Sequence, residues 1–391
     1  MLLVGITSVP AHAEGIKQWQ LEAFGAQEIW QISKGEGVTV AVIDSGVDKN
    51  NPDLRGQVLE GKDFASSEES GDQFTDYNGH GTGMAGLIAG TGARDGGNGA
   101  FGLAPGAKIL PVRIPGLEGG DVSMVAASER FNRVVPPAIR YAADSGAKVI
   151  NLSVGNHQGS QALTDAVKYA LDKGALVFAA VGNSGDKSNK LEYPGATPGV
   201  VGVGAVDKKL TRVPMSQYGR QVDLVAPGKD TVAACGGGTG ICKSTGTSDA
   251  TALASAAAAL IWAKHPDWTN NQVLKVMLNT IAAPTEGPKR NDYIGYGAIR
   301  PLRALKTPGD PGPADVRPID DLAETVTPSA SASASVDPAP AESSAAPAPA
   351  PAPVASEDAG GNTALWIGLG IGAAVLVGAA IAVPVLRSRR G

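Results

Sequence analysis

The run GTSDATALASAAAALI, residues 246–261, constrains this chain more than any other stretch. A turn of small residues presents Ser248, and an alanine-rich helix begins at once. Almost none of its side chains is polar, and a helix that is apolar all round has to be buried. Its N-terminus points at the serine with unpaired N–H groups and partial positive charge, which suit a developing oxyanion. Serine and threonine also stand at helix starts as ordinary caps, so Ser248 acquires chemical meaning only from what the rest of the chain brings to it.

Around this helix, apolar β-branched runs alternate with helical patterns. Strands are expected at Val38–Asp44, Lys108–Ile114, Lys148–Ser153, Ala175–Val181, Gly199–Val206 and Val222–Val225. Several are apolar throughout, as parallel strands covered on both faces must be. Helices are expected over 81–90, 122–145, 160–173, 250–264 and 269–281, the last opened by a capping box of Thr269 and Gln272. The alternation predicts an α/β fold, a doubly wound and mostly parallel sheet flanked by helices. Sites in such folds lie at the carboxyl ends of strands.

Three further stretches place polar residues at such ends. Val40–Asp48 is an apolar strand that finishes in Asp44 and a glycine turn. Asn78-Gly79-His80-Gly81-Thr82-Gly83 opens a helix of small residues, and glycines on both sides of a histidine leave backbone room for a substrate. Only four histidines occur; His12 lies in the N-terminal apolar run, and neither His157 nor His265 has an acid-bearing motif around it. A general base in this chain is therefore His80. Ala179–Gly185 ends another buried strand with Asn183, a residue equally at home in a plain turn. The order Asp44, His80, Asn183, Ser248 separates one of the three convergent Ser-His-Asp arrangements from the other two.

The flanks are of a different kind. Residues 1–13, MLLVGITSVPAHA, read as the end of a secretory signal with an Ala11-His12-Ala13 cleavage site but no basic start; an apolar N-terminal strand is the alternative. Residues 14–37 form an arm, including Gln18-Trp19-Gln20-Leu21 and 26–30, and residues 38–307 form one globular domain. A Pro/Ala/Ser-rich linker over 308–362 buries too little apolar surface to order itself. Ala364–Leu386 is an uncharged apolar segment of 23 residues, and 387–391 is a basic tail. At about 1.5 Å per residue the segment spans roughly 34 Å, enough for one transmembrane helix. Arg387, Arg389 and Arg390 assign the tail to the cytoplasm and the domain to the outside. In an exported protein, Cys235 and Cys242, set in a glycine-rich loop, read as a disulfide. The net charge of −5 gives no reason to expect nucleic acid.

On VAVIDSGVD (40–48), NGHGTGMAGLIAG (78–90), AAVGNSG (179–185) and GTSDATALASAAAAL (246–260), the chain resembles the subtilase family of serine proteases over roughly residues 18–305. The resemblance implies a subtilisin-like fold and an endopeptidase with Asp44, His80 and Ser248 as its triad. The Asn183 amide and the Ser248 backbone N–H would form the oxyanion hole. Ile150–Gly155 resembles the substrate-pocket strand, so Ser153, Val154, Gly155 and Gly182 are expected to bind substrate, with Gly116–Gly120 as an edge for an extended peptide. No cofactor and no metal is expected. Signal, subtilase domain, linker and terminal helix together resemble the mycosins, subtilases of type VII secretion systems. That likeness implies protein or peptide substrates, membrane-complex subunits as partners, and a cell-membrane location with the peptidase domain outside. The scaffold of a secretion complex, without required proteolysis, is the alternative function. Two positions depart from the family pattern: Ala252 replaces a proline, and Asp249 replaces a small or apolar residue. A carboxylate there opposes the oxyanion unless it points away and is hydrogen-bonded.

Overall fold

The computed structural model describes residues 17–116, 123–235 and 240–322. The expected signal remnant, the linker beyond residue 322, the membrane helix, the basic tail and residues 117–120 of the expected edge lie outside the described residues. Among the described residues, no helix is long and apolar enough to cross a membrane.

The strands are β1 Thr39–Asp44, β2 Lys62–Asp63, β3 Lys108–Arg113, β4 Val149–Leu152, β5 Leu176–Ala180, β6 Val201–Val206, β7 Leu224–Pro227, β8 Thr231–Ala234 and β9 Ile241–Ser244. The helices are α1 Trp19–Phe24, α2 Ala26–Ile29, α3 His80–Ala89, α4 Met124–Asp144, α5 Gln161–Asp172, α6 Thr247–Lys264, α7 Asn270–Thr280 and α8 Pro301–Lys306. The sheet runs β2-β3-β1-β4-β5-β6-β7, and its pairings are parallel. Its central strands are buried nearly end to end, because Val, Ile, Leu and Ala stand on both of their faces.

One face of the sheet packs with α3, α6 and α7, while α4 and α5 cover the other. Helix α6 is buried from Asp249 through Trp262, as its lack of a polar face requires. Runs of alanine leave little more than methyl groups between its backbone and its neighbours. In the strand order β1 lies between β3 and β4, so the chain leaves it first to one side and then to the other. The carboxyl end of β1 is therefore the switch point of the sheet, where a crevice opens. Asp44 is the last residue of that strand.

Strands β8 and β9 form an antiparallel hairpin that the sequence pattern does not announce. The Cys235–Cys242 disulfide closes it, with 5.4 Å between the two Cα atoms. The arm packs against the hairpin: Gln18 and Gln20 donate side-chain N–H groups to the Val232 carbonyl, and the Trp19 indole donates to Lys229 and Asp230. The capping box of Thr269 and Gln272 opens α7 as expected.

The boundary expected at residue 308 lies further on. Thr269, Asn271, Gln272 and Asn279 donate to carbonyls of Asp310, Gly312 and Ala314, which lays this stretch along α7. Ile319 is buried, and Asp321 accepts from the Gly199 N–H at 3.0 Å. Three side-chain amides and the Thr269 hydroxyl hold backbone carbonyls of this segment, beyond which Ile319 is buried.

Candidate active site

Asp44 and His80 reach each other because α3 lies directly against the end of β1. Gly81 makes that approach feasible: a Cβ there would stand 2.2 Å from the Gly46 carbonyl oxygen and 3.1 Å from the Asp44 Cβ. The start of α3 is fixed by polar residues just ahead of it. Asp76 accepts from the Gly79 and Thr82 N–H groups and from the Thr82 hydroxyl, while Asn78 Oδ1 accepts from the His80 N–H. These bonds satisfy N–H groups that have no partner within the helix.

His80 donates its Nδ1–H to Asp44 Oδ1 at 2.8 Å; the carboxylate can only accept, so when the ring is neutral its proton sits on Nδ1 and Nε2 is free to take one. The Ser45 N–H donates to the same oxygen at 2.8 Å. Asp44 is buried, whereas 39% of the His80 side chain is exposed. The Asp44 charge raises the His80 pKa to about 9 against an opposing effect of burial, and Asp249 and Asp76 add smaller upward pushes.

Ser248 occupies the first turn of α6, which begins three residues earlier than expected. Its N–H is one of the groups that the helix leaves unpartnered. Ser248 and Ser153 bond reciprocally: the Ser248 hydroxyl donates to the Ser153 carbonyl at 3.4 Å, and the Ser153 hydroxyl donates to the Ser248 carbonyl at 3.2 Å. Behind them, Asn151 donates to the Ser153 hydroxyl and accepts from Ser255. A buried polar chain thus locks the end of β4 onto α6.

Asn183 is oriented by Thr247. The Thr247 N–H donates to Asn183 Oδ1 at 2.9 Å, and the Thr247 hydroxyl donates to it at 3.1 Å. A backbone N–H has no acceptor, so the side-chain atom facing it is the oxygen and the NH2 group turns outward. That amide and the Ser248 N–H are two donors at one cleft.

The cleft has a volume of about 290 Å³, and its lining includes Asp44, His80, Asn183 and Ser248. Ser153, Val154, Gly155 and the edge residue Gly116 line it as well. Gly182 does not. It is buried one layer behind, in a positive-φ turn packed against Gln217 and Glu192, and Glu192 takes the place expected for it in the lining. Among the described residues, no group of three or more His, Cys, Asp or Glu side chains is placed to hold a metal ion.

Asp249 points away from the cleft. Ser244 of β9 donates to its Oδ1 at 2.8 Å, and the carboxylate is 1% exposed. Burial pushes its pKa up to about 6.

The family model described as the subtilase family, Peptidase_S8, matches residues 35–297. The chain belongs to the subtilase family. Subtilisin BL of Lederbergia lenta is 38% identical over 247 residues, covering 63% of this chain and 84% of that protein. The structure of MycP3 protease from the type VII (ESX-3) secretion system aligns with a TM-score of 0.65 and 30% identity, over 76% of this chain and 90% of the other. A chain of the periplasmic assembly from the ESX-5 inner membrane complex aligns with a TM-score of 0.67 and 27% identity, over 79% of this chain and 88% of the other. This subtilase is a subtilisin-like serine protease related to the MycP proteases of type VII secretion.

Sequence reasoning missed the positioning residues of this subtilase: Asp76 and Asn78 at the start of α3, Thr247 behind Asn183, and Glu192 in the cleft. The first two carried a legible signal, since Asp and Asn just before a helix are caps. Glu192 carried none, because nothing in its surroundings marks a loop that returns to the cleft.

Proposed function

We propose that this subtilase is a membrane-anchored, extracytoplasmic serine endopeptidase that processes exported proteins beside a type VII secretion complex. The observation that carries the reading is the 2.8 Å bond from His80 to a buried Asp44, with Ser248 in the same cleft. Ser248 Oγ attacks the scissile carbonyl and passes its proton to His80 Nε2. Asp44 holds the ring and stabilises the imidazolium that forms. The negative oxygen of the tetrahedral intermediate accepts from the Asn183 amide and the Ser248 N–H. His80 then gives its proton to the leaving amine, and water repeats the cycle on the acyl-enzyme. In the resting arrangement the Ser248 hydroxyl donates to Ser153, so rotation about the Ser248 Cα–Cβ bond precedes attack.

The anchored location rests on the uncharged segment 364–386 and the arginines after it. Anchoring holds the domain beside whatever emerges from the membrane. The likeness to a chain of a periplasmic ESX-5 assembly favours a second role, in which this domain also stabilises a membrane complex.

A gene deletion compared with a chromosomal Ser248→Ala replacement at normal expression separates the roles. Ser248→Ala should leave substrates uncut while secretion continues, and the deletion should abolish secretion. Equal loss of secretion in both strains would remove the scaffold role. Cleavage that persists in Ser248→Ala would remove the peptidase role.

A further inference from the structure

Just beyond β3 the chain leaves the sheet and becomes a wall of the cleft. Ile114 donates its N–H to the Asp44 carbonyl at 2.8 Å. Pro115, the next residue, has no N–H to add to the ladder. Gly116 follows, exposed and lining the cleft that contains Ser248. Glycine has more backbone freedom to lose than any other residue, so this wall does not hold its own shape.

Side chains from outside the cleft hold it. The Gly116 N–H donates to Glu69 Oε1 at 2.7 Å, and the Arg130 guanidinium donates to the Gly116 carbonyl at 2.8 Å. Both holders are themselves fixed. Glu69 Oε2 accepts from Arg113 at 3.1 Å, and Arg113, 1% exposed, also reaches Asp63 at 3.2 Å and the Ser70 carbonyl at 2.9 Å. Arg130, on α4, pairs with Glu68 at 2.6 Å, and Arg133 pairs with the same carboxylate. The two acids are consecutive in one turn, where the N–H groups of Glu68 and Glu69 both donate to the Ala65 carbonyl. That turn is docked on β3, because the Phe64 N–H donates to the Arg113 carbonyl. One short turn therefore grips both peptide groups of Gly116, directly through Glu69 and by way of Glu68 through Arg130. Exposed ion pairs add little to stability on their own; these give a glycine on the cleft wall a fixed place.

We propose that Glu69 and Arg130 are positioning residues for peptide binding, which fix the Gly116 wall while Arg113 and Glu68 set the two holders. The inference rests on the peptidase reading of the cleft. All four residues stand outside the lining of the cleft and take no part in the proton transfers. A wall that shifts misplaces a long peptide, but not a small acyl group that meets only Ser248 and the oxyanion donors. Loosening it therefore raises KM for peptides and spares ester hydrolysis.

The test uses the purified full-length chain, with fluorophosphonate labelling of Ser248 to verify an intact nucleophile in each variant. A chromogenic peptide with several residues before the scissile bond is compared with p-nitrophenyl acetate. Glu69→Ala should raise KM for the peptide about 10-fold, the scale of one lost charge-assisted hydrogen bond, with kcat nearly constant and ester hydrolysis at the wild-type rate. Arg130→Ala should do the same from the other side of Gly116. Glu69→Gln keeps an oxygen for the Gly116 N–H but loses the ion pair with Arg113. It should hold KM close to wild type while losing stability to urea much as Glu69→Ala does, a split that a merely structural role does not produce. Should Glu69→Ala fail to label, Arg130→Ala and Glu69→Gln decide alone. An unchanged peptide KM in the alanine variants that label overturns the proposal, and so does a parallel fall in peptide and ester hydrolysis. Those outcomes leave the peptidase reading standing, whereas a wild type whose Ser248 does not label overturns both.

Discussion

Ser244 donates its hydroxyl to Asp249 Oδ1 at 2.8 Å, so the carboxylate next to the nucleophile in sequence faces the β8–β9 hairpin and not the oxyanion site. The departure that threatened catalysis on sequence grounds is thus a tie between α6 and a disulfide-closed hairpin. The same hairpin lies beside the helix that carries His80, with Gly83, Met84, Ala233, Ala234 and Cys235 around one depression. It braces base and nucleophile together.

Asp249 still acts on His80 through its charge. It is one of three carboxylates that favour the imidazolium, after Asp44 and ahead of Asp76. A general base works only when neutral, so the acid limb of kcat/KM follows the His80 pKa and should lie above pH 6.5 in the free enzyme. Asp249→Asn removes a charge that stabilises the protonated ring. The limb should move to lower pH by less than about one unit, and activity at pH 6.5 should rise. A pH–rate profile of the two proteins checks this; a limb that stays in place means that Asp249 only ties the hairpin.

Thr247 should act through Asn183. Removing a single oxyanion donor typically lowers kcat by about 10²–10³-fold, a range established on subtilisin itself, and Asn183→Ala should fall in it. Thr247→Val keeps the backbone N–H bond to Asn183 Oδ1 but removes the hydroxyl bond. We expect a smaller loss, confined to kcat, with KM nearly constant. The double variant Thr247→Val/Asn183→Ala should lose little beyond Asn183→Ala alone, because the threonine then has no oxyanion amide to orient and its hydroxyl keeps only the Gly182 N–H at 3.3 Å. Additive losses in the double variant would show that Thr247 acts independently.

Most of what positions the site was legible in the chain. Asp44 falls at a strand end, His80 at a helix start and Asn183 just beyond another strand, as their flanking apolar runs and glycines imply. Helix α6 is buried for the reason its composition states. What escaped depends on long-range placement. Strand β9 has only half-buried and exposed residues beside a glycine-rich loop, so it shows no buried apolar face. Residues 310–314 are held through their carbonyls, which no side-chain pattern records. Glu192 takes its place in the cleft only where Gly155 and Gln217, far apart in sequence, meet around it.

Asp223 should make stability depend on pH. It is buried, accepts from the Gly202 N–H at 2.8 Å, and its pKa is raised to about 7, chiefly by burial. A carboxyl whose folded pKa lies above its unfolded value binds more protons in the native state, so its contribution to stability falls as pH rises between those two values. Asp223→Asn removes the titration. Its stability relative to wild type should therefore increase from pH 4 to pH 8, as read by urea unfolding at each pH. A constant difference across that range would contradict the assignment.

The most direct measurement is covalent labelling of the purified chain with a fluorophosphonate probe, followed by peptide mapping. Labelling at Ser248 in wild type, lost in both Ser248→Ala and His80→Ala, is the predicted result, because the hydroxyl attacks phosphorus only when His80 takes its proton. Labelling that is equal in wild type and Ser248→Ala, or that is absent from the wild type, would contradict it.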